Sequence, residues 1–120
     1  MLIIAGKIYV DPGHRAEFVA SHEDLMRRAR AQPGCLDVTI AADPIEPGRV
    51  TMFEHWESEA HLAAWRAVAD PPAPVTEFLG GDVQKHQIST SGPPFGQDAA
   101  AGAFSTLVDR PPHPQGQVGT

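Results

Sequence analysis

Six histidines, two tryptophans and one cysteine are the side chains best equipped for chemistry in this 120-residue chain. His22 stands out because it lies four residues from both Phe18 and Met26, on or beside the apolar stripe of a helix. An imidazole there is either half-buried and hydrogen-bonded to a neighbour, or a base lining a cavity between helices and sheet. Trp65 shares the inward side of a later helix with Leu62, where it serves as core or as a pocket wall stacking on an aromatic ligand. Trp56 and Phe53 face opposite sides of one strand, so at most one of them lines a given cavity; Glu54 shares the face of Met52 and Trp56, and His55 that of Phe53. His86, on the last strand, is the second candidate base. His14 starts a helix and reads as exposed, and His61 reads as a solvated surface residue. No metal site is expected: His14 and His22 are not an i, i+4 pair, His55 and His61 straddle an element boundary, and HExxH is absent. A single cysteine, Cys35, permits neither an internal disulfide nor a multi-thiolate site and reads as a small buried apolar residue. The absence of a Gly-rich phosphate loop and of a GxSxG elbow is compatible with cofactor-free chemistry that needs only a proton acceptor, and equally with no catalysis.

The elements that must position these residues follow from periodicity. Leu2 to Val10 alternates with apolar groups on both faces and is bounded by Asp11, Pro12 and Gly13, which predicts a first strand. A helix is then expected to run to about Arg30, with acidic residues early and arginines late, as the helix dipole favours. Leu36, Val38 and Ile40 alternate with Asp37, Thr39 and Ala41; a Pro/Gly turn and a second strand around Val50, Met52 and Trp56 complete a hairpin. Ser58 is an N-cap candidate for a second helix carrying Leu62, Trp65 and Val68, which Asp70, Pro71 and Pro72 terminate. Val75 to Leu79 suggests a short extra helical turn, and Asp82 to Ser91 a last strand. Strand, helix, strand, strand, helix, strand is the ferredoxin-like βαββαβ arrangement of α+β proteins: a four-stranded antiparallel sheet with two helices on one face. Apolar residues on both faces of the first strand, together with Phe53, predict that the bare face is closed by a homodimer, sheet against sheet.

Composition limits what such a domain does. A formal charge of −6, with only Lys7 and Lys85 as lysines, argues against a nucleic-acid surface. The amino terminus lacks a basic n-region, and no run approaches the ~18 apolar residues of a membrane span, so a cytoplasmic, non-membrane protein is expected. From Gly92 to Thr120 the chain is rich in proline and glycine, with one apolar run at Phe104 to Val108. It reads as a tail, or as an arm exchanged with the partner of a dimer, beside a single domain at 1–91.

KIYVDPG on the first strand, QPGC after the first helix, and VTMFEHWESEAHLAAW across the third strand and second helix together resemble the antibiotic biosynthesis monooxygenase family, the small dimeric α+β barrel proteins. The resemblance covers residues 1–91 and implies oxygenases that use no cofactor on phenols, anthrones or quinols, alongside haem-degrading members and members without known activity. Trp65 matches the tryptophan position of the haem-degrading branch, and Lys7 falls near that branch's strand-one asparagine. No histidine occurs between Arg66 and Lys85 to act as the usual haem ligand, however, and the histidine that quinol-oxidising members carry near Trp65 is also missing. The resemblance therefore implies a dimeric, cofactor-independent monooxygenase acting with O₂ on a planar phenolic, anthrone or quinol-type small molecule. His22 is its expected base with His86 as substitute, and Trp65, Trp56, Met26, Phe18 and Lys7 its substrate-binding residues. A non-catalytic small-molecule-binding or stress-response dimer is the competing expectation, with a haem-binding or haem-degrading protein third.

Overall fold

The first strand, β1 (Leu2–Tyr9), buries Leu2, Ile4 and Ile8 on one side, as its alternation requires. It is one of the sheet's two inner strands. β3 (Arg49–Trp56) and β4 (Gly80–Gln87) flank it, β2 (Cys35–Ala42) lies outside β3, and every pairing in the order β2-β3-β1-β4 is antiparallel. The helices α1 (Arg15–Ser21), α2 (Glu23–Arg30) and α3 (Glu59–Arg66) lay Phe18, Ala29, Leu62 and Trp65 on the side that carries Leu2, Ile4, Val38, Ile40, Val50 and Trp56. This is the ferredoxin-like α+β architecture. Register places Ile3, Ala5, Lys7 and Tyr9 of β1 on the opposite face with Phe53 and His55 of β3 and His86, Gln84 and Asp82 of β4. The structure, a computed structural model, describes residues 1–95, and the apolar run at 104–108 lies outside them. The chain divides into two compact units, Met1–Ser89 and Thr90–Thr120; in the second, residues 90–95 contain neither helix nor strand.

Four local features differ from the periodicity, each for a physical reason. The first helix is not continuous to Arg30 but breaks at His22. The Phe18 carbonyl accepts the His22 ring Nδ1–H at 2.8 Å and the Ser21 hydroxyl at 2.7 Å, and the His22 backbone N–H turns instead to Val19 at 3.1 Å. Side chains have taken the helical acceptor, so the ladder tightens and bends there. Leu36 does not share the face of Val38: Cys35 pairs with Trp56 and Asp37 with His55, leaving Leu36 as the extra residue of a bulge, 45% exposed. Cys35 packs against the core in its place, and burial, followed by the nearby Asp37 and Glu54 charges, pushes its thiol pKa up. The last helix stops at Arg66, so Val68 is exposed, and Asp70 takes a left-handed φ of 47° before the prolines. Val75 to Leu79 forms no helical turn; Val75 packs on the core, and Leu79 N–H donates to Tyr9 O at 2.7 Å, leading directly into the β1–β4 ladder.

Ser58 caps α3 as its sequence suggests, its hydroxyl accepting the His61 N–H at 3.1 Å. His61 is not the solvated residue expected. Its ring Nδ1 pairs with that same hydroxyl at 2.7 Å, and the ring lies over Gly34, whose missing side chain leaves room for it.

Candidate functional site

The helix break has a chemical consequence. A carbonyl only accepts hydrogen bonds, so the bond to Phe18 places the neutral ring's proton on His22 Nδ1 and leaves Nε2 with a lone pair. Nε2 has no hydrogen-bond partner among the described residues. The ring also leans on Phe18, with centroids 4.4 Å apart. An imidazole oriented by two contacts with its basic nitrogen unspent is equipped to accept a proton.

That ring lines a cavity of about 130 Å³ between the helices and the sheet. Leu25 and Ala29 of α2, Val38 and Ile40 of β2, Met52 and Glu54 of β3, and Trp65 of α3 complete most of its wall. Two groups in that wall, His22 and Glu54, are titratable. β3 must carry a carboxylate inward because Glu54 alternates with Met52 and Trp56, and a carboxylate on such a face needs a partner. It has one: Glu54 Oε1 accepts the indole N–H of the wholly buried Trp56 at 3.0 Å. Trp56 in turn stacks on Trp65, with centroids 6.4 Å apart and planes 22° apart. The Arg28 guanidinium sits 5.7 Å from the Trp65 ring centre, held by Asp24 at 2.7 Å and by the Ala69 carbonyl at 2.7 Å. Trp65 is therefore fixed by a stacked ring and a cation, and its own ring forms the aromatic wall.

The residues expected at the site from sequence do not all meet here. His22 and Trp65 share the cavity. Trp56 supports it from beneath, positioning Glu54 and Trp65, and does not line it. His86 points away: it pairs across β1 with Ile3 and therefore lies on the open face, with Lys7. Both border a polar hollow there with Arg49, Thr51, Asp82 and Gln84, on the other side of the sheet from His22. Met26 faces the outer edge of β2, where its sulfur accepts the Ile40 N–H at 3.2 Å, and it borders a separate groove with Arg27 and Arg30. Phe18 is buried under His22 and forms the floor of an outer groove of about 350 Å³ with Pro71, Pro72, Pro74, Thr76 and Phe78.

Glu54 and the proline groove are absent from the residues expected from sequence. For Glu54 the signal was present in the period-2 pattern of β3. For Pro71 to Phe78 it was not, because an irregular segment has no period from which to read direction. Among the described residues, no group of three or more His, Cys, Asp or Glu side chains is placed to hold a metal ion, and no helix is long and apolar enough to cross a membrane.

Comparison with known proteins agrees with this architecture. The family model described as antibiotic biosynthesis monooxygenase matches residues 1–70. An uncharacterised Synechocystis protein is 31% identical over 61 residues, which are 51% of this chain and 42% of that protein, so the match spans less than half the length of that relative. Among solved structures, a candidate antibiotic biosynthesis monooxygenase of Deinococcus radiodurans is 15% identical with a TM-score of 0.55, covering 76% of this chain and 95% of its own. The haem degrader MhuD of Mycobacterium tuberculosis, solved with two haems in its active site, is 20% identical with a TM-score of 0.56, covering 77% and 99%. Likenesses at this level of identity speak for the fold.

Proposed function

This chain belongs to the antibiotic biosynthesis monooxygenase family, and on that footing we propose that it is a cofactor-independent monooxygenase acting with O₂ on a small phenolic, anthrone or quinol-type aromatic. The observation that carries the reading is the unspent Nε2 of His22 on the same cavity as Trp65. Trp65 orients a planar ring, His22 takes its hydroxyl proton, and the resulting phenolate, desolvated by Leu25, Val38 and Ile40, is electron-rich enough to reduce O₂. One C–O bond forms at a ring carbon to give a hydroperoxide. Loss of the ring hydrogen and cleavage of the O–O bond, with the proton returned from His22, release water. For a hydroquinone the sum is quinol + O₂ → hydroxyquinone + H₂O, in which the substrate supplies all four electrons. Glu54, tied to the Trp56 indole, is the second polar side chain facing the ring.

The residues present do not fit haem. A cavity of about 130 Å³ lies below the roughly 300–1,000 Å³ of ordinary cofactor and ligand pockets, and no histidine occurs between Arg66 and Lys85 to serve as ligand. Half-buried Ile3, Ala5 and Phe53 on the face opposite the helices support pairing of two copies through that face.

The test is oxygen uptake with hydroquinone and anthrone. His22→Ala should lower turnover by about 10²–10⁴-fold, the usual worth of a general base, while sedimentation shows an unchanged oligomer. Turnover within twofold of wild type would remove His22 from the mechanism. Calorimetric binding of these aromatics with no oxygen consumed would instead identify a non-catalytic binding protein.

A further inference from the structure

Two hollows with mostly apolar walls share the His22 ring. The inner one, about 130 Å³, is close to the ~150 Å³ at which an apolar protein cavity accepts a benzene-sized molecule, and it is too small for three fused rings. The outer one, about 350 Å³, is formed by Phe18, Pro71, Pro72, Pro74, Thr76 and Phe78, and among the described residues no Asp, Glu, Lys or Arg lines it. A continuous line of rings connects them: Phe78 meets Phe18 edge-on at 5.9 Å, and Phe18 meets His22 at 4.4 Å. Phe78 is 64% exposed and presents its ring to the groove. The prolines fix the backbone of the wall in advance, so little ordering is needed when a ligand arrives.

We propose that the ligand of this protein is a single-ring phenol or hydroquinone bearing an apolar chain. The ring enters the inner cavity against Trp65 with its hydroxyl at His22 Nε2, and the chain lies in the proline groove against Phe78. This narrows the functional reading above and rests on it for the placement of the ring. The volumes select the class: the inner space admits one ring, and the groove beside His22 offers a substituent a mostly apolar surface of prolines and phenylalanines, with Thr76 its one hydroxyl.

The test is calorimetric titration of the full chain with a series of 2-alkylphenols from methyl to hexyl, whose chain leaves the ring beside the hydroxyl and so on the His22 side, and with anthrone. The dissociation constant should fall about two- to fourfold per added methylene, and anthrone should bind more weakly than the longer alkylphenols. Phe78→Ala and Pro72→Ser should each flatten that dependence; the slope across the series is the readout, and circular dichroism of each variant reports its fold. A flat series in the wild type, an unchanged slope in both folded variants, or tighter binding of anthrone than of any alkylphenol would overturn the proposal. The oxygenase reading fails separately: a steep series with no oxygen consumed keeps this ligand class and discards the reaction, whereas oxygen uptake with a flat series does the reverse.

Discussion

Gly34→Ala should be among the most damaging small substitutions in this protein. Gly34 has φ 79° and follows Pro33 in a turn closed by the Cys35 N–H on the Gln32 carbonyl at 3.1 Å. Proline in the second position and a left-handed glycine in the third is the type II pattern. An alanine held at that φ costs about 1–2 kcal/mol. Its Cβ would also overlap the His61 ring, so the ring must leave. That breaks the pairing of His61 Nδ1 with the Ser58 hydroxyl, worth a net 0.5–1.5 kcal/mol or so, and exposes a half-buried ring at the start of α3. The sum is about 2–4 kcal/mol, on the order of 10 °C or more in melting temperature for a domain of this size. Urea unfolding at one protein concentration, on wild type, Gly34→Ala, His61→Ala and the double variant, measures it. His61→Ala removes the obstacle, so the double variant should lose less than the sum of the singles by about 1 kcal/mol. A loss below about 1 kcal/mol for Gly34→Ala, or additivity within about 0.5 kcal/mol, would refute the account of why this turn needs glycine.

Arg15 Nη1 lies within hydrogen-bond distance of the loop carbonyls of Asp43 at 2.9 Å and Glu46 at 2.7 Å and of the Arg49 carbonyl that opens β3 at 3.2 Å, so Arg15→Ala should cost about 1–3 kcal/mol in urea unfolding and speed amide exchange in the loop; no change in either would show that the loop holds itself. The Asp43 carboxylate accepts the Glu46 and Ile45 N–H groups and is held below its ordinary 3.8, and Glu59, bonded to Lys85 and Gln87, is held below 4.5. Both depressed carboxylates bind more protons unfolded than folded, so their stabilisation is complete above those ordinary values and is lost as pH falls through the lowered ones. Unfolding midpoints should therefore drop on acidification below about pH 4.5, and Asp43→Asn, which keeps an acceptor for the N–H groups, should make that drop shallower; an identical acid profile would exclude Asp43 as a source.

Much of the fold was legible because strand and helix periods are local properties of the chain. Period-2 alternation in β3 separated Met52, Glu54 and Trp56 from Phe53 and His55, and the structure keeps that division. The spacing of Phe18, His22 and Met26 put His22 near the apolar stripe, but its neighbours then divide among different hollows. The break at His22 separates two short helices, and their side chains follow different contacts: Phe18 to the proline groove, Met26 to the edge of β2. His86 was not legible. Every residue of β4 is exposed, so the strand has no burial contrast to reveal its faces, and only its register against Ile3 decides that the imidazole lies on the open side. Leu36 misled for a related reason: a bulge inserts one residue and inverts the alternation on its far side.

By itself, then, the sequence determined the order of elements, the faces of the inner strands, the capping of α3 by Ser58, and the resemblance on which family membership rests. These depend on residues within a few positions of one another. Tertiary structure alone decided which side chains meet: that Glu54 finds the Trp56 indole, that Trp65 lies between ring and guanidinium contacts, and that a carbonyl of α1 fixes the proton of His22 and frees its other nitrogen. The same holds for the volume those side chains enclose, since the space left over depends on how every neighbour packs and has no local pattern to announce it.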